Sequence, residues 1–123
     1  FAQFSRNILQ GKNIVLYTKG EVGHCYCYTM DAMSGILYIL LRGGDGEAYN
    51  VANEQTYISI IDMAEFLCRE FAPQLKPVIE LKENMGYPPT TKLRLSTHKI
   101  RTLGWKPQYS LKTMFERLMQ FIW

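Results

Sequence analysis

The chain has 123 residues, a formal net charge of +3, and 47% hydrophobic and 13% aromatic residues. Such a chain is the size of one domain, buries roughly 65% of its unfolded surface without a disulfide or metal staple, and is too apolar to be disordered. No apolar run reaches the ~18 residues of a membrane span; the longest, residues 35–41, reads as a buried helix.

Phe4, Ile8 and Leu9 recur at helical spacing, which predicts a helix over residues 2–10 stopped by Gly11. Ile14–Tyr17 is a short β-type run closed by a turn at Lys19-Gly20-Glu21. Residues 24–29 predict a second strand, with Cys25, Cys27 and Thr29 on one face and His24, Tyr26 and Tyr28 on the other. Asp31 is positioned to cap a helix over about 32–42, apolar nearly all round and therefore expected to be buried on several sides. Gly43-Gly44-Asp45-Gly46 ends it; the run lacks the Lys-Ser/Thr pair of a phosphate cradle and reads as a turn.

Glu47–Ala52 predicts a strand. Ser59, with Asp62 three residues on, opens a helix whose core stripe is Ile60, Met63, Ala64, Leu67 and Phe71. Val78–Leu81 reads as a strand and Gly86–Thr91 as a rigid Pro-containing loop. Ser96 or Thr97 starts a short helix stopped by Gly104, and Ser110 starts the last, with Leu111, Met114, Phe115, Leu118 and Ile122 on one side. Short strands alternating with helices predict an α/β fold, in a single domain over residues 1–123.

The segment Gly23-His-Cys-Tyr-Cys-Tyr-Thr-Met-Asp31 raises the question of a metal or redox site. A tetrahedral metal needs three or four converging ligands, yet His24 points away from Cys25 and Cys27 and only Cys68 remains. Thiol redox chemistry uses a Cys-x-x-Cys spacing that is absent. The simpler reading is a strand whose cysteine face packs inward and whose His/Tyr face borders a pocket. Three cysteines cannot all pair, which favours a reducing, cytoplasmic compartment.

No acid occurs between Glu83 and Glu116, while Lys92, Arg94, Lys99, Arg101, Lys106 and Lys112 fall in that interval. Such a run suits phosphate or nucleic acid, or is a solvated basic face. The chain opens on Phe1 without an initiating Met, which reads as a segment of something longer.

Three stretches carry a family resemblance. Gly20-Glu-Val-Gly-His-Cys-Tyr-Cys-Tyr-Thr-Met-Asp31 is similar to a G-x-x-x-R-x-Y-x-x-V-x-D strand entering a helix. Gly46-Glu-Ala-Tyr-Asn-Val-Ala-Asn53, continued by Ser59–Glu65, is similar to an x-x-Y-N-V-[AG] strand and its helix. His98-Lys-Ile-Arg-Thr-Leu-Gly-Trp-Lys-Pro107 is similar to S-K-x-x-x-L-G-W-x-P. In this order and spacing the chain resembles the C-terminal portion of the extended short-chain dehydrogenase/reductases, the NAD-dependent nucleotide-sugar epimerases and dehydratases.

The family's G-x-x-G-x-x-G dinucleotide loop and Y-x-x-x-K catalytic pair do not occur in this chain. The resemblance therefore implies a substrate-binding portion without catalytic residues of its own. NAD and the Rossmann domain would belong to an upstream part of a parent enzyme, possessing the family's common homodimeric habit. It implies a nucleoside-diphosphate sugar as ligand. Val15 and Tyr17 occupy places that flank the base, and Tyr26 a place that contacts the nucleotide. The diphosphate-binding arginine is replaced by His24, and the loop before the S-K helix has no arginine, so Lys92 or Arg94 would supply the charge. For Val15, Tyr17 and Tyr26 the plain alternative is sheet or core packing. Two other functions compete: a stand-alone RNA or polyanion-binding module, for which the net charge is low, and a degenerate module kept for protein contact.

Overall fold

The computed structural model describes residues 1–87 and 89–122. The α/β alternation is present: α1 (Ala2–Leu9), β1 (Ile14–Leu16), β2 (Gly23–Tyr26), α2 (Thr29–Arg42), β3 (Asn53–Ser59), α3 (Ile60–Phe71), β4 (Pro77–Ile79), α4 (His98–Arg101) and α5 (Leu111–Phe121). The chain forms two compact units. Unit 1 takes residues 1–23, 58–92 and 112–123; unit 2 takes 24–57 and 93–111.

Unit 1 is built on β1 and β4, which pair in parallel with Val15 opposite Val78. Three-residue strands bury little by themselves, and the core comes from the helices. Ile8 of α1, Ile14 and Leu16 of β1, Met63, Ala64, Leu67 and Cys68 of α3, and Met114 and Phe115 of α5 are buried. The α3 stripe is nearly the one expected from its spacing, with Cys68 added and with Ile60 and Phe71 half-buried. Ser59 caps α3 through an Asp62 N–H bond of 3.1 Å to its hydroxyl, which in turn donates to the Asp62 carboxylate at 2.6 Å. Gly20 has a φ of +68° and touches the start of α3, where its carbonyl accepts from Ile61 N–H at 2.9 Å. In the loop expected at Gly86–Thr91, Pro88 lies outside the described residues.

Unit 2 is organised around Trp105, which is 1% exposed. Its indole N–H donates to the Asp31 carbonyl at 3.2 Å and the Ser34 hydroxyl at 3.0 Å. The ring can approach because α2 presents Gly35 there: a Cβ would stand 3.3 Å from the indole nitrogen. β2 and β3 form the second two-stranded sheet. The Thr56 hydroxyl accepts from Tyr26 N–H at 2.7 Å and lies 2.6 Å from the Tyr26 carbonyl.

Three expectations are corrected here. The strand expected at Glu47–Ala52 is irregular, and β3 begins at Asn53. The 47–52 stretch is held by side chains instead: Gly44 N–H donates to the Tyr49 hydroxyl, and Lys99 donates to the Ala48 carbonyl. Asp31 does not cap α2, which starts at Thr29. The residue is buried in the first turn, and its carboxylate accepts from the backbone N–H groups of Gln108 (2.8 Å) and Tyr109 (3.0 Å). β2 ends at Tyr26, so Thr29 belongs to the helix and not to the strand face shared with the cysteines.

Most of α2's large apolar side chains are also not buried. Met30, Met33, Ile36, Leu37, Leu40 and Leu41 are all more than half exposed, Leu40 and Leu41 by 77% and 80%. The face turned inward is the one carrying Asp31 and Gly35, because those small and polar positions fit the indole and the two backbone donors.

Candidate functional site

In unit 1 the chain after β1 turns at Gly20 and runs back past the start of α3, leaving a cavity of about 450 Å³. Phe4 of α1, Val15 and Tyr17, Lys19, Ile60 and Tyr87 are among its walls. The size falls within the ~300–1,000 Å³ of small-molecule sites. Its chemistry is mixed: aliphatic and aromatic surface with an ammonium at Lys19 and a carboxylate at Glu21. The Lys82 ammonium lies 4.0 Å from the centroid of the Tyr17 ring. Such a cavity can hold a flat ring against Tyr17 and Val15 and offer cations to an anionic group attached to it.

Of the six residues expected at a binding site, Val15 and Tyr17 are brought together in this cavity. Lys92 also belongs to unit 1; it is exposed and its backbone bridges Gly23. His24, Tyr26 and Arg94 belong to unit 2. His24 and Tyr26 are half-buried on β2, and burial pushes the Tyr26 phenol above its ordinary value. The Arg94 guanidinium lies 3.8 Å from the centroid of the Tyr57 ring, in the wall of a second cavity of about 330 Å³ shared with Cys25, Glu54 and Ser96. Cys25 thus borders a cavity rather than packing wholly inward. Burial, and secondarily the Asp31 carboxylate, push the Cys27 thiol up, and burial does the same to Cys68; neither is poised as a thiolate. Among the described residues no three His, Cys, Asp or Glu side chains converge on a metal position.

Lys19, Phe4, Ile60, Tyr87 and Lys82 were not expected from the sequence at a nucleotide site. They come from four separate stretches, and no local spacing joins them. The basic run is partly neutralised: Lys99 pairs with Glu47, and Lys112 with Glu70 at 3.0 Å.

The short strands and helices in this order make an α/β fold. No family model matches the sequence. It is 28% identical over 120 residues to dTDP-glucose 4,6-dehydratase 1 of Escherichia coli, covering 94% of this chain and 33% of that protein. Among solved structures, UDP-glucose 4-epimerase of Thermotoga maritima with UDP-glucose superposes with a TM-score of 0.78 at 21% identity, over 97% of this chain and 37% of that one. A dTDP-glucose 4,6-dehydratase of Streptomyces venezuelae, with NAD bound, gives 0.71 at 23%, over 96% and 36%. The chain is similar to these enzymes over nearly all of its own length and spans about a third of the length of the relatives it matches. Among the described residues no helix is long and apolar enough to cross a membrane.

Proposed function

We propose that the chain is the nucleotide-sugar-binding portion of an NAD-dependent epimerase or dehydratase and catalyses nothing alone. The observation that carries this is the unit 1 cavity, which joins Val15, Tyr17 and Lys19 in a fold shared with enzymes of UDP-glucose and dTDP-glucose. The nucleobase stacks on Tyr17 and Val15, and Lys19 and Lys92 face the diphosphate as point charges. NAD and the Y-x-x-x-K chemistry belong to a further, dinucleotide-binding part of the parent enzyme. Three free cysteines support a reducing, cytoplasmic setting.

The polyanion-binding alternative is disfavoured by the Lys99–Glu47 and Lys112–Glu70 pairs, which remove two cations from the run. Titration of the chain with dTDP-glucose, UDP-glucose and free glucose decides between them. Saturable binding of the nucleotide sugars, competed by the nucleoside diphosphate and not by glucose, is expected. Absence of nucleotide binding up to millimolar concentration, or binding of RNA with a steep salt slope, would sink the proposal.

A further inference from the structure

The cavity of about 330 Å³ in unit 2 shares no wall residue with the cavity of unit 1. β2 supplies Cys25, β3 supplies Glu54 and Tyr57, and the stretch before α4 supplies Arg94, Leu95 and Ser96. Its volume suits a small organic molecule.

The two charges in its wall are opposite, and they do not pair with each other. The Arg94 guanidinium lies 3.8 Å from the centroid of the Tyr57 ring and has no hydrogen bond or ion pair among the described residues. Stacked there, it holds its N–H donors in one plane, the geometry that reads a carboxylate through two parallel bonds. Glu54 turns one oxygen, Oε1, to the Thr97 N–H and hydroxyl; its Oε2 has no hydrogen-bond partner among the described residues. Arg101 lines a neighbouring hollow with Glu54 and donates through Nε to the Thr97 hydroxyl at 2.9 Å, so Arg94 is the less committed of the two guanidinium groups.

A bare anion would satisfy Arg94 and be repelled by Glu54; an amine would do the reverse. A molecule carrying both a carboxylate and an ammonium satisfies the two together, and Tyr57 and Leu95, both half-buried, offer an apolar wall to the rest of it. We propose that this cavity binds a small zwitterion, a free α-amino acid with an apolar side chain, with its carboxylate on Arg94 and its ammonium on Glu54.

Cys25, a free thiol in the wall, is the reporter for the test. The rate at which a maleimide labels Cys25 in the 123-residue chain is resolved from Cys27 and Cys68 by peptide mass spectrometry. It is followed with increasing phenylalanine, with phenylpropionate, which lacks the ammonium, and with phenethylamine, which lacks the carboxylate. Saturable protection by phenylalanine at roughly millimolar concentration is expected, with both analogues at least about tenfold weaker. Arg94→Gln, at an exposed position, is expected to weaken phenylalanine about tenfold. Glu54→Gln, checked for folding by circular dichroism, is expected to make phenylalanine and phenylpropionate equal. Absence of protection up to about 20 mM phenylalanine overturns the proposal. So does an Arg94→Gln chain protected as well as the parent. Protection by inorganic phosphate or phenylpropionate as strong as by phenylalanine, or by dTDP-glucose at lower concentration, also overturns it, and assigns the cavity to a plain anion or to the nucleotide sugar.

Discussion

The Lys82 ammonium stands 4.0 Å from the centroid of the Tyr17 ring, and Tyr17 is itself a wall of the unit 1 cavity. A cation held near an aromatic face contributes about 0.5–2 kcal/mol, and it fixes the plane against which a flat ligand would lie. Lys82→Ala is expected to weaken nucleotide-sugar binding a few-fold, and Tyr17→Ala at least tenfold. Tyr17→Phe, which keeps the ring, should leave affinity within about twofold; isothermal titration reads all three. Equal losses in the Phe and Ala variants would show that the hydroxyl, not the ring, matters.

Gly20 shapes the same cavity from behind. Its φ of +68° favours glycine, and a Cβ there would meet the Ile61 nitrogen at 2.8 Å and the Ile61 Cβ at 2.9 Å. Neither is the end of a flexible side chain, so the first turn of α3 would have to move. Gly20→Ala is expected to cost about 2–4 kcal/mol in urea unfolding, and to weaken nucleotide binding beyond what lost stability explains. A loss below about 0.5 kcal/mol would show that this turn adapts freely.

Legibility in the sequence followed how local each cause was. α3 could be read nearly in full because its cap, Ser59 and Asp62, and the centre of its stripe, Met63 to Leu67, lie within one helix. β3 was misplaced because Glu54 and Gln55 are exposed polar residues and its pairing partner, β2, lies some thirty positions earlier. The face of α2 was misjudged because every side looks apolar; the choice of inward side depends on Trp105, some seventy positions away. At the cavity, family resemblance pointed to Val15 and Tyr17. Phe4, Lys19, Ile60 and Tyr87 meet there only after three turns of chain.

Asp31 joins α2 to the irregular stretch after Trp105. Its buried carboxylate accepts two backbone N–H groups, and hydrogen bonds to a charged acceptor contribute about 1.5–3 kcal/mol each. Asp31→Ala leaves both donors unpaired and is expected to destabilise the chain by about 3–5 kcal/mol in chemical denaturation, more than Asp31→Asn, which retains one acceptor. Unit 2 should be affected first, visible as Trp105 fluorescence changing at lower denaturant than the α-helical signal.

Ser5 presents the opposite case. Its hydroxyl is fully buried in α1 and has no hydrogen-bond partner among the described residues. Ser5→Ala removes a desolvated polar group and improves helix propensity. A gain of about 1 kcal/mol is expected, read as a rise of a few degrees in Tm. A loss of stability would show that a bound water satisfies this hydroxyl.

Glu54 sets the response of unit 2 to acid. Its carboxylate accepts from the Thr97 backbone N–H at 2.5 Å and the Thr97 hydroxyl at 2.8 Å. These bonds, and to a lesser degree Arg101 and His98, hold its pKa below the ordinary value of 4.5. A carboxyl whose folded pKa is lowered stabilises the fold fully above its unfolded value and loses that contribution as pH falls through the folded one. Stability should therefore decline as the solution is taken below about pH 4.5, a window Glu70 and Glu47 share because Lys112 and Lys99 lower theirs as well. In Glu54→Gln the charged acceptor is gone. The variant is expected to melt lower than the parent at neutral pH, with the two Tm curves converging in acid. Parallel curves from pH 7 down to pH 3 would mean that the Thr97 bonds do not depend on the charge.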